Sequence, residues 1–476
     1  MTPSPHRSPL ADLVAHIVYI TNGLASTFHS SLELSRRLCE TGHQVTYVSH
    51  ADLRERVEAE GYPFHRLCAD DLYQKQKKER RPPEKERRTI RGWLRWRAIR
   101  KQVRKDSLEN REIEELIVDL RPDLLLIDIE CHVAILAAIP LGIPIILPVV
   151  WYSLYHHQLA PPLNTPLIPD DSAESKRVIA RAWRRVRREA RLLEWRNRFS
   201  KFGDYRRHEP LSYDTFWIDD LRAFAKTRGL RLGQVADRTQ FLRPFLYREL
   251  PILSFNVVEM EFPGISHPNF HYGGPMVFRG RRETRNSSED RHRWELFRDE
   301  ANQSGRPLLY ASLGTYWSGD RGFLATILDA FRHHPEWSLV LGLGGTLDPG
   351  ELEPIPSNVL ALSWAPQVEV LKVADAAIIH GGVTTLNECL TFGVPMLVYS
   401  THHVDQDGCA ARIQYHGVGI MAEKDEDDCH AMSEKIQHLL SDPDYRQRLA
   451  EMRAAVDKSE AERLALDLIE EHLPRP

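Results

Sequence analysis

Residues 364–410 read WAPQVEVLKVADAAIIHGGVTTLNECLTFGVPMLVYSTHHVDQDGCA. The apolar run Ala376–Ile379 has the length of a buried strand and leads directly into His380, Gly381 and Gly382, after which Thr384–Thr391 has the composition of a helix. A strand, a glycine turn and a helix start leave the first N–H groups of that helix without intrahelical partners. The helix dipole adds about half a positive charge there, and glycines let a ligand approach the backbone closely. The stretch therefore predicts an α/β domain with an anion site at the strand end. Thr384 and Thr385 add hydroxyls and His380 an imidazole. Glu388 lies four residues after Thr384, one turn into the helix, where a carboxylate can accept two vicinal hydroxyls. Trp364 offers a flat face to a base.

Outward from this stretch the same alternation continues. Pro307–Leu313, Ser338–Leu343, Val359–Leu362 and Pro395–Tyr399 are strand candidates in the second half; His16–Ile20, Gln44–Val48, Asp123–Ile127 and Ile143–Val150 are their counterparts in the first. Strands alternating with helices imply parallel sheets covered on both faces. The expected architecture is α/β, with two doubly wound parallel-sheet domains. One spans 1–275, a polar linker follows over 276–305, and the other spans 306–476. Two Arg-rich stretches, about 75–111 with Trp93 and Trp96 and 176–207 with Trp183 and Trp195, break the pattern and read as amphipathic helical inserts. Such helices are either basic solvated faces packed on the core by an apolar stripe or surfaces that touch an anionic membrane.

A formal net charge of -4 and a pI near 6.6 argue against nucleic acid as the main partner. The six cysteines form no C-x-x-C pair, which fits a reducing, cytoplasmic compartment. The first fifteen residues lack the apolar core of a secretory signal, and no apolar run is long enough to span a bilayer. The expected location is therefore the cytoplasm, at the inner membrane surface if the basic inserts act as membrane contacts.

The 364–410 stretch resembles the signature of the UDP-sugar-dependent glycosyltransferases, which act on natural products and lipids. The resemblance rests on Trp364, Gln367, His380, Gly382, Thr384, Thr385, Glu388, Gly393, Val394, Pro395, Asp405 and Gln406, in order and at spacing. It implies the GT-B fold, two such domains facing a central cleft. It also implies that Trp364 stacks on uracil beside Gln367, that His380, Gly382, Thr384 and Thr385 meet the diphosphate, that Glu388 binds the ribose, and that Asp405 and Gln406 hold the sugar. Tyr310–Thr315 resembles the turn that opens the family's C-terminal domain, which would aim Gly314 and Thr315 at the diphosphate. Two threonines replace the common Asn-Ser pair, and Cys409 replaces a common Asn.

In this family a His after the first strand takes the acceptor proton and an Asp after a later strand orients it. Asp128, after LLLI and fourteen residues before Gly142, fits the Asp. Counting back from Gly42-His43 without a gap puts Thr27 at the His position, with His29 two residues later and His132 just after Asp128. His29 with Asp128 is the expected catalytic pair; Thr27 would then be an acceptor-binding group, joined by Trp151 and Tyr152. The implied reaction is inverting transfer of a sugar, a hexose such as glucose, from a UDP- or dTDP-sugar to a small hydrophobic or lipid-like hydroxylated acceptor. Neither a cofactor nor a metal is expected. No D-x-D motif fits, and the His-His pairs lack ligand spacing. The alternative is a catalytically impaired relative that only binds nucleotide sugar.

Overall fold

Runs such as LLLI at 124–127 and AAII at 376–379 are apolar on both faces, and both form fully buried strands of parallel sheets. The computed structural model describes residues 14–199, 209–240, 245–281, 287–314 and 319–474. The first sheet contains β1 (His16–Ile20), β2 (Gln44–Ser49), β3 (Phe64–Arg66), β4 (Leu124–Ile127) and β5 (Ile145–Val149). After a short antiparallel ribbon of β6 (Ala236–Asp237) and β7 (Leu246–Tyr247), β8 (Ile252–Ser254) and β9 (Phe270–Tyr272) complete it. Its seven strands run parallel in the order β3-β2-β1-β4-β5-β8-β9. The second sheet contains β10 (Leu308–Ser312), β11 (Ser338–Gly342), β12 (Val359–Leu362), β13 (Ala376–Ile379), β14 (Met396–Tyr399) and β15 (Gly419–Ala422). Its six strands are parallel in the order β12-β11-β10-β13-β14-β15.

In each sheet the strand order reverses beside the first strand, between β1 and β4 and between β10 and β13. Ligands of open α/β sheets bind outside the carboxyl ends of strands at such switch points. Asp128 directly follows β4 and His380 directly follows β13, while Thr27 and Gly314 lie on the segments after β1 and β10. Topology alone thus brings the proposed reacting groups to two facing crevices.

Part of the segment read as a linker is helical. Ser288–Ser304 is a helix whose N-cap, Ser287, accepts the Asp290 N–H; Glu289 and Asp290 suit its positive end, and Gly305 ends it at φ +64°. The C-terminal end does not stay with the second sheet. Helices Pro443–Ala461 and Leu464–His472 return to the first domain, where Arg37 bridges Glu460 at 3.0 Å. Gly273 and Gly274, read as a boundary, lie against these helices: a Cβ on Gly274 would lie 2.2 Å from Ser459 Oγ, and one on Gly273 would lie 2.9 Å from Ala465 Cβ.

The domains are also pinned by a buried charge. Arg412, on helix Gln406–His416, donates its Nε at 3.1 Å and its Nη2 to one oxygen of Glu261. The other oxygen accepts Ser153 N–H at 2.6 Å and Tyr272 O–H at 2.9 Å. The guanidinium lies over the rings of Tyr152 and Phe262. Each charge is therefore compensated, the condition under which a buried pair is tolerated. The basic inserts are helices, chiefly Ile90–Glu109 and Ala173–Phe199. Among the described residues no helix is long and apolar enough to cross a membrane.

Candidate active site

β13 delivers His380 to a turn built for close approach. A Cβ on Gly382 would lie 2.5 Å from His380 Nε2, and one on Gly314, at φ +73°, would lie 2.8 Å from the same ring. Glycine is thus required on both sides of the imidazole. Burial holds His380 down to about 4, against a hydrogen bond to the Ser312 backbone, so the ring is neutral and carries a single N–H. Its Nδ1 is buried with no hydrogen-bond partner, and so is the Thr384 hydroxyl on the first turn of helix Val383–Phe392. Leaving a buried polar group unmet costs about 1–3 kcal/mol. Two of them at one helix N-terminus fit an anion that completes both. Thr315 lies outside the described residues.

One turn along that helix, Glu388 is almost fully buried and both its oxygens are engaged. Gln367 Nε2 donates to one; Arg281 Nη1 donates to the other at 2.7 Å. Gln367 is fixed in turn by Tyr310 O–H at 2.9 Å and reaches Thr385 Oγ1 at 3.3 Å. Gly345, at φ +70°, lays its backbone against the Trp364 indole, where a Cβ would lie 2.3 Å from Cζ2. Gln367, Thr385 and Glu388 therefore form one hydrogen-bonded wall. Arg281 escaped the sequence reading because it is one cation among many in a stretch read as linker.

Asp405 and Gln406 follow a loop in which His402 and Val404 hold φ of +59° and +39°. A β-branched residue in that region is strained, a feature concentrated at functional sites. Gln406 Oε1 accepts the Thr401 N–H at 2.9 Å and the Thr401 hydroxyl at 2.6 Å, which leaves its NH2 to donate elsewhere. Burial pushes the Asp405 carboxyl up to about 7, although the Val383 N–H reaches it; the Glu130 charge adds to the rise. The Asp405 carboxyl of the second domain is thus within electrostatic reach of Glu130, on the first domain's loop after β4.

In the first domain the expected pair, His29 and Asp128, lies on separate elements, the helix after β1 and the loop after β4. Thr27 and His29 both lie on helix Ala25–Glu40, and residues two apart on a helix point about 200° apart. Thr27, not His29, lines a small cavity with Asp128, Glu130, Trp151 and Phe255. His29 instead has Arg281 Nη1 at 3.3 Å from Nδ1 and Arg56 Nη2 at 3.1 Å from Nε2. Taking a proton there would add a third positive charge between two guanidinium groups. His132 packs in the core against Phe245, with Nδ1 3.2 Å from the Tyr247 hydroxyl. Tyr152, expected at the acceptor, is fully buried beneath Arg412; Trp151 lines the cavity. Burial first, then the Glu130 charge, raises Asp128 well above the usual carboxylate range; burial likewise raises Glu130. Glu130 and its holder Asn22, whose Nδ2 donates to it at 3.0 Å, carried no motif signal.

Residues 345–465 match the model of the erythromycin biosynthesis protein CIII-like C-terminal domain. The zeaxanthin glucosyltransferase of Pantoea ananas is 25% identical over 467 residues, 96% of each chain. The NDP-glycosyltransferase YjiC of Bacillus subtilis (strain 168) is 33% identical over 168 residues, which is 35% of this chain and 42% of that one. The solved glycosyltransferase of kitacinnamycin is 22% identical, covers 97% of this chain and 99% of its own, and superposes with a TM-score of 0.64, a likeness of fold.

Proposed function

We propose that this chain, a glycosyltransferase of the natural-product and carotenoid type with the GT-B fold, moves a hexose such as glucose from a nucleoside diphosphate sugar to a hydroxyl of a hydrophobic acceptor, with inversion and without a metal. The observation that carries this reading is the pair of unmet polar atoms, His380 Nδ1 and Thr384 Oγ1, at the head of helix Val383–Phe392. They suit the leaving diphosphate, whose growing charge the helix N-terminus and the imidazole N–H stabilise. Gly314 and Gly382 leave room for it. Trp364 takes the base, Glu388 the ribose hydroxyls, and Asp405 and Gln406 the sugar hydroxyls. Ribose binding displaces Arg281 from Glu388.

The acceptor hydroxyl enters the cavity of Thr27, Asp128 and Trp151. The acceptor presents the hydroxylated end ring of a terpenoid. The likeness to a zeaxanthin glucosyltransferase supports that class. Incubation with UDP-glucose or dTDP-glucose and a panel of hydroxylated carotenoids, sterols and phenols tests this. A β-glycoside from the α-linked donor is the expected product; retention, or hydrolysis alone across the panel, contradicts the reading.

The acceptor reaches the cleft from an anionic lipid surface. Helix Ile90–Glu109 buries Trp96, Arg100 and Val103 and exposes Ile90, Trp93 and Leu94 beside Arg91 and Arg97. Exposed apolar side chains rimmed with cations suit a membrane interface. Flotation with phosphatidylglycerol vesicles, but not with phosphatidylcholine vesicles, is expected, and Trp93→Ala with Leu94→Ala should abolish it. Equal recovery with both lipids contradicts the contact.

A further inference from the structure

We propose that Asp128 is itself the base that takes the acceptor proton, and that Glu130, clamped by Asn22, is the positioning residue that makes it one. This rests on the transferase reading above and concerns how the first domain performs it. Three observations converge. First, the helix position that faces Asp128 carries Thr27, and Thr27 is engaged by its own turn: its hydroxyl donates to Asn22 Oδ1 at 2.8 Å, and the same oxygen accepts Leu24 N–H at 2.9 Å. A threonine hydroxyl has no useful basicity near neutral pH. Second, the other end of Asn22 holds Glu130 at 3.0 Å, and Glu130 N–H donates to Asp128 Oδ1 at 3.0 Å. Asn22, Glu130 and Asp128 thus form one rigid unit across the ends of β1 and β4. Third, that unit borders the donor side, because the Glu130 charge acts on Asp405 of the second domain.

The Glu130 charge adds to the burial that raises Asp128, so the two carboxyls titrate as a pair. Once ionised, Asp128 is therefore a stronger base than an ordinary aspartate, which is what proton abstraction from an alcohol needs. The groups facing the pair are Tyr19 on β1, Cys131 on its own loop, Asp214 from the segment before helix Ile218–Thr227, and Asp405 across the cleft. Burial keeps Tyr19 and Cys131 protonated and uncharged, so of these groups it is the Asp214 charge that adds to the rise of Glu130. In the reaction the acceptor O–H proton passes to the Asp128 carboxylate. The freed electron pair of that oxygen forms the bond to the anomeric carbon. The bond from that carbon to the diphosphate oxygen breaks, and its electron pair leaves on the nucleoside diphosphate.

The test compares Asp128→Asn, Glu130→Gln, His29→Ala and Thr27→His with the unaltered enzyme, measuring kcat/KM from pH 5 to 9 and UDP affinity by calorimetry. Asp128→Asn should lower kcat by about 100-fold or more while UDP affinity stays within about threefold. Glu130→Gln should shift the acid limb of the profile to lower pH. His29→Ala should leave that limb in place. Thr27→His, which sets an imidazole beside Asp128, should give a limb near ~6.5, where histidine titrates. A limb that vanishes with His29→Ala, or stays put in Glu130→Gln, overturns the inference. Should the unaltered enzyme neither bind UDP nor transfer any sugar, the functional reading fails instead.

Discussion

The second domain draws His380, Gly382, Thr384, Thr385 and Glu388 from a single strand-turn-helix, whereas the first gathers Asn22, Thr27, Asp128, Glu130 and Trp151 from separate segments after β1, β4 and β5, Thr27 from the helix Ala25–Glu40. In the second domain, neighbours in sequence are neighbours in space, because one strand and one helix turn fix their spacing. In the first, contacts cross about a hundred residues of chain, as from Asn22 to Glu130. The first kind of site can be read from a motif. The second depends on how the sheet brings loop ends together. Arg281 and Arg412 stand between the two kinds, since each links residues of both halves.

The comparison can be broken at several points. The largest effect is expected at Asp128. Replacement by Asn should cost about 10²–10⁴ in kcat and leave nucleotide binding intact; a parallel loss of UDP affinity would mean that the two halves are not separable. Next is the pin between them. Arg412→Ala leaves Glu261 charged and buried, so unfolding in urea should show a loss of about 3–5 kcal/mol. A midpoint within error of the parent would show that the domains are held by other contacts. Glu388→Ala should weaken UDP by about 10- to 150-fold, the worth of a charged hydrogen bond of about 1.5–3 kcal/mol. It should weaken dTDP less, because that ribose lacks one of the two vicinal hydroxyls. Equal losses would detach Glu388 from the ribose. The smallest effect belongs to His29→Ala, expected within about threefold on kcat, because it lies on the far side of its helix from Asp128.

The sequence made the paired parallel sheets legible because buried strands such as Leu124–Ile127 and Ala376–Ile379 are apolar on both faces. Short strands such as Phe64–Arg66 and Ile252–Ser254, each three residues long, carry too little periodicity to be noticed. The helix Ser288–Ser304 was masked by its charge, although Ser287 and the following acids are the start signal of a helix. His29 drew attention by its chemistry, yet one dihedral consideration, the 100° step of a helix, turns it away from Asp128. Glu130 was invisible because a carboxylate gains meaning only from the neighbour that raises it.

The most direct measurement is titration calorimetry of UDP into the intact protein and into Thr384→Val with His380→Ala. Saturable binding by the parent, weakened at least tenfold in the double variant at unchanged melting temperature, is the predicted result. Absence of binding by the parent, or equal affinity in both proteins, would contradict a diphosphate site at the head of helix Val383–Phe392.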